Sequence, residues 1–316
     1  MSHSDNAQAA PKKIASGVLL ALAGSIAFSG KAIIVKLGYR YGVDAVTLLM
    51  YRMLFAFPFF LALAWWSGRG KAALTRQDWL QVFFLGFSGY YLASYLDFAG
   101  LQYITASLER LILYLNPTLV LLLGWFLWRK PISRYQWMAF ALSYAGVFLV
   151  FGHELVEGGT VAAASRVGFA GISATAWGSA LIFASAVSYA LYLSFSGELV
   201  QKLGSLRLAG LATSVACVLC MSQFALLRPW TALVVPQPVV WLSVLNATAC
   251  TVIPVLMVMA AIERLGAART SQIGMVGPMS TILLGVIFLG EPLNAWIVAG
   301  TVLVLSGVYL ASNGKK

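Results

Sequence analysis

Charge is scarce in this chain: Asp, Glu, Lys and Arg make up 10% of its 316 residues. A soluble body of this size needs a polar coat, and so few charged side chains cannot supply one. Cysteine is scarcer still. Cys217, Cys220 and Cys250 all sit in apolar stretches, and an odd, sparse set gives no disulfide framework. Cys217 and Cys220 have the spacing of a metal or redox pair, but no acid, base or second pair lies near them. They read as small packing residues on a helix. The two histidines, His3 and His153, are isolated and outside the apolar runs. No Walker motif, phosphate loop or metal cluster is present in the sequence. These gaps argue against an ATP-driven pump, a redox protein and a metalloenzyme, so a gradient has to drive any work the protein does.

What is abundant is apolar. The chain is 60% hydrophobic, with a mean hydropathy of +0.86. Apolar residues come in blocks of roughly 20, the length that crosses a hydrocarbon core of about 30 Å. Ten blocks fit, at 15–36, 44–66, 79–98, 103–127, 134–152, 175–197, 208–228, 239–261, 269–289 and 295–312. Backbone groups in lipid must bond internally, so these read as helices. The alternating strands of about ten residues that mark a β-barrel are not seen. The polar, basic start, 1–13, is followed by no evident cleavage site and reads as the approach to a first span.

A net charge of +11 invites a nucleic-acid reading, but its distribution points elsewhere. Thread ten spans with the N-terminus inside. The inner segments then hold Lys12, Lys13, Arg69, Lys71, Arg76, Arg129, Lys130, Arg134, Lys202, Arg207, Arg264, Arg269, Lys315 and Lys316, against Arg40, Arg166 and Arg228 outside. That bias is the positive-inside pattern of an inner-membrane protein with both termini cytoplasmic. Lipid is the expected partner and nucleic acid is not.

The longest connection, 153–174, divides the chain near its middle on the periplasmic side. A shift of 161 residues lays the first half on the second. Gly17 meets Gly178, Leu20 meets Leu181 and Ala23 meets Ala184. Ala99 meets Ala260, Ala106 meets Ala267, Pro117 meets Pro278, Pro131 meets Pro292 and Gly146-Val147 meets Gly307-Val308. A five-span unit has an odd number of crossings, so its two copies insert in opposite senses. The expected fold is all-α, an integral membrane bundle of ten transmembrane helices arranged as two inverted five-helix repeats, 1–152 and 175–316.

The run from Pro278 through Leu283-Leu284-Gly285 to Gly290-Glu291-Pro292 and Ser306-Gly307-Val308 resembles the EamA-type permeases of the drug/metabolite transporter superfamily. The first half repeats it as Asn116-Pro117, Leu122-Leu123-Gly124, Pro131 and Gly146-Val147. The resemblance covers nearly the whole chain and implies a ten-helix permease, an exporter in function. One departure is Lys130, where the family's motif usually ends in an acid that Glu291 keeps in the second half.

Ionisable groups inside spans are functional candidates by default. Here they are Lys31, Lys36, Arg52, Asp97, Glu109 and Arg110. At 1.5 Å per residue, Lys31 lies roughly 8 Å, Arg52 roughly 12 Å, and Glu109 and Arg110 roughly 10 Å below the outer ends of their spans. Groups at similar depth on four helices either neutralise one another as a structural network or converge on a cavity. Three cations (Lys31, Arg52 and Arg110) against Asp97 and Glu109 leave about +1, which favours an anionic or zwitterionic solute. Lys36 sits near a helix end and fits snorkelling to the interface. Glu109, then Asp97, are the proton-coupling candidates, since either carboxylate can change charge state in such surroundings.

Tyr95, Tyr114, Tyr189 and Tyr192 are deep enough to wall a pocket with ring and hydroxyl. Thr270, Ser271 and Gln272 align with Glu109, Arg110 and Leu111, so the second half offers polar, uncharged counterparts, of which Ser271 and Gln272 join the candidate substrate-binding set. Pro117, Pro254 and Pro278 lie within spans, where each removes a backbone hydrogen bond and kinks its helix as a hinge. The resulting reading is a cofactor-free secondary transporter, not an enzyme. It exports a small polar, anionic or zwitterionic metabolite by alternating access, driven by protons or a counter-substrate. A membrane-embedded enzyme or a non-transporting partner protein is the alternative. The first would need a His, Cys or paired-carboxylate centre at one interface. The second has no use for ionic groups in mid-bilayer.

The orientation is testable in whole cells. Alkaline phosphatase fused after Thr160 should be active, and green fluorescent protein fused after Lys316 should fluoresce. An active phosphatase at the C-terminus would reverse the topology.

Overall fold

A computed structural model describes residues 4–129, 131–156, 173–265 and 267–313, without the side chains of 4–13, 267, 268, 271, 272 and 311–313. Among the described residues every regular element is helical. The first half contains α1 (Ser4–Tyr39), α2 (Ala45–Gly68), α3 (Arg76–Leu85), α4 (Ala93–Gly100), α5 (Ala106–Leu113), α6 (Asn116–Trp128) and α7 (Arg134–Val156). The second contains α8 (Ala174–Leu203), α9 (Ser205–Leu227), α10 (Gln237–Ala247), α11 (Ile253–Leu265), α12 (Ala267–Gly274), α13 (Gly277–Leu284) and α14 (Ala295–Asn313).

Seven stretches are long and apolar enough to cross a membrane: Ile14–Tyr39, Ala45–Gly68, Ala106–Trp128, Arg134–Val156, Ala174–Leu203, Ser205–Leu227 and Gln237–Leu265. Two shorter apolar helices, Gly277–Leu289 and Ala295–Leu310, follow. The expected third span is a continuous run in which a π-helical turn, Gly86–Leu92, joins α3 to α4. Its polar residues, among them Gln77, Gln81, Ser88, Ser94 and Asp97, dilute its hydropathy.

Loop chemistry sets the ends. Asp44 accepts hydrogen bonds from Val46 N and Thr47 N to start α2, and Thr75 with Asp78 forms a reciprocal capping box on α3. Thr105 and Ser173 cap α5 and α8. α7 runs four residues past the expected end at 152, which brings His153 and Glu154 onto a helix. Residues 157–172, most of the expected connecting loop, lie outside the described residues, as does Lys130.

Two interruptions within the bundle recur at a fixed spacing, while a further π-helical turn, Gly285–Leu289, falls where the first half keeps α-helix. A second π-helical turn, Thr248–Val252, joins α10 to α11 about 161 residues after the first. The breaks between α5 and α6 and between α12 and α13 fall at 114–115 and 275–276, the same spacing. Pro117 and Pro278 therefore open α6 and α13, where a missing N–H costs nothing, and neither kinks an unbroken helix. Pro254 follows the second π turn. Pro58 lies inside the uninterrupted helix α2.

Helices from the two halves pair closely. α2 lies along α9, α7 along α14, α1 along α11 and α4 along α8. Without water to expel, such contacts depend on close approach at small residues. A Cβ on Gly146 would stand 2.6 Å from Gly300 O, and one on Gly300 2.8 Å from Gly146 O. A Cβ on Gly17 would strike Arg264 and Leu265, and one on Gly178 would strike Tyr103 and Ile104. Gly17 and Gly178 are again related by 161, as are the residues they meet, Tyr103 with Arg264 and Ile104 with Leu265. The main core runs through Val35, Leu49, Met53, Phe98, Leu111, Ile182 and Cys217. Bulky side chains such as Phe126, Leu226 and Trp241 face outward, as lipid-facing residues do.

Gly300→Leu should destabilise the purified protein by about 1–3 kcal/mol, read as a lower melting temperature. Gly197→Leu, where nothing lies within 4 Å of an added Cβ, should leave it unchanged.

Candidate functional site

The π-helical turns Gly86–Leu92 and Thr248–Val252 and the broken α5–α6 helix open space along the bundle. A cavity of about 420 Å³ lies there, in the size range of small-molecule sites. Both halves wall it. Phe28 and Lys31 come from α1, Arg52 and Phe60 from α2, and Gly89, Tyr90, Ser94 and Asp97 from the first π turn and α4. Arg110 and Tyr114 come from α5 and its C-terminus, Ser185 and Tyr189 from α8, and Ala209 and Thr213 from α9. Thr251, Val255 and Val258 come from the second π turn and α11. A π turn inserts one residue into the helix and re-aims the side chains beyond it, which is why such turns recur at functional sites.

Lys31 is the centre of the ionic set. Its Nζ donates to Asp97 Oδ2 at 2.5 Å and stands 3.6 Å from Glu109 Oε1. Glu109 is fully buried and lies behind the lysine, off the cavity wall. Three helices, α1, α4 and α5, therefore meet at one ammonium.

The two arginines are held by the opposite half of the chain. Arg52 Nε donates to Thr251 Oγ1 at 3.1 Å, and the guanidinium packs 5.4 Å from the centre of the Phe98 ring. Arg110 Nε donates to Thr281 Oγ1 at 2.8 Å, and its Nη2 donates to Phe28 O. Thr251 donates its own proton to Asn246 O and Thr281 donates to Gly277 O, so both hydroxyls are committed as acceptors toward arginine. Among the described residues neither guanidinium lies within ion-pairing distance of a carboxylate, and Arg52 Nη1 has no hydrogen-bond partner.

The tyrosines divide. Tyr114 donates to Gly274 O, a carbonyl freed by the break before α13, and Ser29 donates to Gly277 O beside it. Tyr189 lines the cavity. Tyr192 is buried one layer away, its hydroxyl 3.1 Å from that of Tyr90 and its ring stacked on Tyr189. Tyr95 does not line the cavity. It packs against Val46, Met50 and Phe224, because residues two apart on a helix face different sides and Asp97 takes the inner one. Ser271 and Gln272 lie on α12, with side chains outside the described residues.

One end of the bundle is tied by polar contacts. Lys36 Nζ donates to Ile104 O at 2.5 Å and to Leu101 O at 3.4 Å, so it caps the turn after α4 and does not snorkel into lipid headgroups. Glu291 accepts from Ala106 N at 2.7 Å, from Ser107 N and from Ser107 Oγ, and so caps α5 from the far half of the chain. Thr105 donates to Glu154, and Tyr39 donates to Phe98 O. His153 is not isolated: its Nε2 is 2.7 Å from Asn294 Nδ2 and its ring stacks on Trp296.

Sequence reasoning passed over Tyr90, Ser94, Thr213, Thr251 and Thr281. Thr213 lies 161 residues after Arg52 and Thr251 the same distance after Tyr90, so the repeat offset carried a signal for both. The three cysteines are free and buried, as packing residues should be.

An all-helical bundle with seven stretches apolar enough to cross a membrane defines a class, that of polytopic membrane proteins. The EamA-like transporter family matches residues 15–152 and again 176–313, and the chain belongs to that family. Among curated relatives, the Uncharacterized transporter YcbK of Bacillus subtilis (strain 168) is 30% identical over 96% of this chain and 93% of its own. An Uncharacterized transporter of Archaeoglobus fulgidus is 25% identical over 93% of this chain and 96% of its own. A solved crystal structure aligns over 94% of this chain and 96% of that one, with a TM-score of 0.59 at 18% identity, and so shares the fold. The protein is a multi-pass membrane transporter of a small molecule.

Lys31→Ala leaves two buried carboxylates without their cation and should cost about 3–5 kcal/mol of stability. Adding Asp97→Asn should recover part of that loss. A double variant no more stable than Lys31→Ala would show that the pair is not coupled.

Proposed function

We propose that the chain is a secondary transporter, an exporter of a small polar metabolite carrying negative charge, working by alternating access in the inner membrane. The observation that carries this reading is the cavity, walled by both halves, with Lys31, Arg52, Asp97 and Arg110 on its surface. Ionic groups in hydrocarbon are costly, and lining a wet cavity that a charged solute enters offsets that cost.

Ten spans as two inverted repeats form the scaffold of this reading, with both termini cytoplasmic. The 161-residue spacing of the π turns, of the helix breaks and of the Gly17 and Gly178 contacts supports it. So do the left-handed residues Arg129 and Gly290, which end equivalent segments at φ 51° and 70°. The pairing of α2 with α9 and of α7 with α14 is what a two-fold axis in the membrane plane requires. The helix breaks and π turns are the hinges about which the two halves rock. The contacts of Lys36, Glu291 and Thr105 gather the outer ends, which supports a conformation closed to the periplasm.

Glu109 is the proton-coupling group of this reading. It is sealed, it shares Lys31 with Asp97, and its two oxygens accept no hydrogen bond among the described residues. A carboxylate so placed can gain or lose a proton as Lys31 shifts between it and Asp97.

Purified protein in proteoliposomes, given a metabolite panel and an imposed proton gradient, tests the proposal. Wild-type protein should move at least one anionic solute. Glu109→Gln should lower gradient-driven flux by about tenfold or more while leaving counterflow exchange intact. No flux with any solute, or driven flux unchanged in both Glu109→Gln and Lys31→Ala, would refute the carrier.

A further inference from the structure

The charges in the cavity are unequally partnered. Each carboxylate has a cation: Asp97 and Glu109 both have Lys31, at 2.5 and 3.6 Å. Among the described residues neither arginine has an anion within ion-pairing distance, and Asp97 and Glu109 act on Arg52 and Arg110 only from farther off. Each is instead fixed through Nε by a threonine hydroxyl whose proton is already given to the backbone. That arrangement sets the orientation of the guanidinium without neutralising it: Arg52 is committed through Nε, Arg110 through Nε and, to Phe28 O, through Nη2, which leaves Nη1 of each for another acceptor. Arg52 is 8% exposed, so its charge is deeply buried with no carboxylate in contact, and its Nη1 has no hydrogen-bond partner among the described residues. Leaving a buried cation unpaired is costly unless something that binds there completes it.

We propose that the transported solute is a small dianion with two acid groups, one held by Arg52 and one by Arg110. This rests on the carrier reading and narrows its solute from any anion or zwitterion to one class. A guanidinium presents paired N–H groups that match the two oxygens of a carboxylate or phosphoryl group, which a lysine ammonium cannot do. The arginines come from α2 and α5 and line one cavity of about 420 Å³, so a single solute can face both. A substrate ammonium, by contrast, would meet carboxylates that already hold Lys31, alongside three cations. The same cavity wall carries Phe28, Leu113, Tyr114 and Tyr189, apolar surface that suits a short carbon chain between two acid groups.

The arrangement also gives the two halves distinct tasks. The first half supplies the charged atoms, and the second supplies Thr251 and Thr281, which aim them. Rocking one half against the other therefore moves the guanidiniums relative to the hydroxyls that position them, and with that changes the grip on the solute.

Calorimetric titration of the full-length protein in detergent tests this with four probes: succinate, glutarate, butyrate and leucine. At least one diacid should bind wild-type protein, and bind at least about tenfold more tightly than butyrate or leucine, the difference expected for one charge-assisted contact. Arg52→Gln and Arg110→Gln should each weaken diacid binding by roughly ten- to a hundredfold. Arg52→Lys, which keeps the charge but loses the fork, should fall between. The wild-type ranking does not depend on how the variants fold. Leucine or butyrate binding as tightly as the diacids would overturn the proposal, as would no diacid binding or arginine variants with unchanged diacid affinity. Uptake of labelled succinate or glutarate into proteoliposomes separates the two readings. Diacids that bind and do not cross would leave this site standing and remove the carrier. Flux of an amino acid without diacid binding would do the reverse.

Discussion

Lys31 stands 2.5 Å from Asp97 and 3.6 Å from Glu109, and none of the three could be left alone in hydrocarbon. Taking one ion out of water costs several kcal/mol even after relaxation, so the ammonium and the carboxylates must meet. They sit on α1, α4 and α5, so their meeting fixes how those helices lie. Glu109 is wholly enclosed, whereas Lys31 and Asp97 reach the cavity wall. The pair and its hidden third member therefore join the packing of the first half to the surface that a solute would touch.

Around that point the bundle has to solve a backbone problem. A cavity at mid-membrane interrupts helices, and each interruption frees N–H and C=O groups that lipid cannot satisfy. The π turns keep most bonds and shift the frame by one residue. At the break before α13 the freed carbonyl of Gly274 accepts from Tyr114, and Ser29 donates a further hydrogen bond to Gly277 O at the start of α13. At the other end, Glu291 closes the open N-terminus of α5. The second half thus carries few charges yet completes the backbone and side-chain bonds of the first. Thr251 and Thr281 extend the same division of labour to the arginines.

Much of this was legible in the sequence, for physical reasons that differ from case to case. Membrane helices announce themselves by composition, because lipid leaves the backbone no alternative. The ionic residues announce themselves by rarity: Lys31, Arg52, Asp97 and Arg110 line one cavity, with Glu109 directly behind. Facing was harder to read. Tyr95 and Asp97 are two residues apart, and only packing against Phe224 decides that the tyrosine turns outward. Lys36 looked like an interfacial lysine because the carbonyls it caps, Leu101 and Ile104, belong to a loop some 65 residues on. His153 looked isolated because its partners, Asn294 and Trp296, come from the far end of the chain. Thr251 and Thr281 carried no charge to attract notice, and their importance lies in what they do to arginine.

Water access to the space beside Lys31 tests the account most directly. Ser94→Cys and Val258→Cys, one from each half, can be introduced singly where Cys217, Cys220 and Cys250 have been replaced by serine. Membrane vesicles of both orientations are then treated with a charged, membrane-impermeant thiosulfonate. Both cysteines should be modified in at least one vesicle orientation. Cysteines that ignore the charged reagent and react only with a lipid-soluble maleimide would mean that these side chains face acyl chains, and that no aqueous cavity separates the halves.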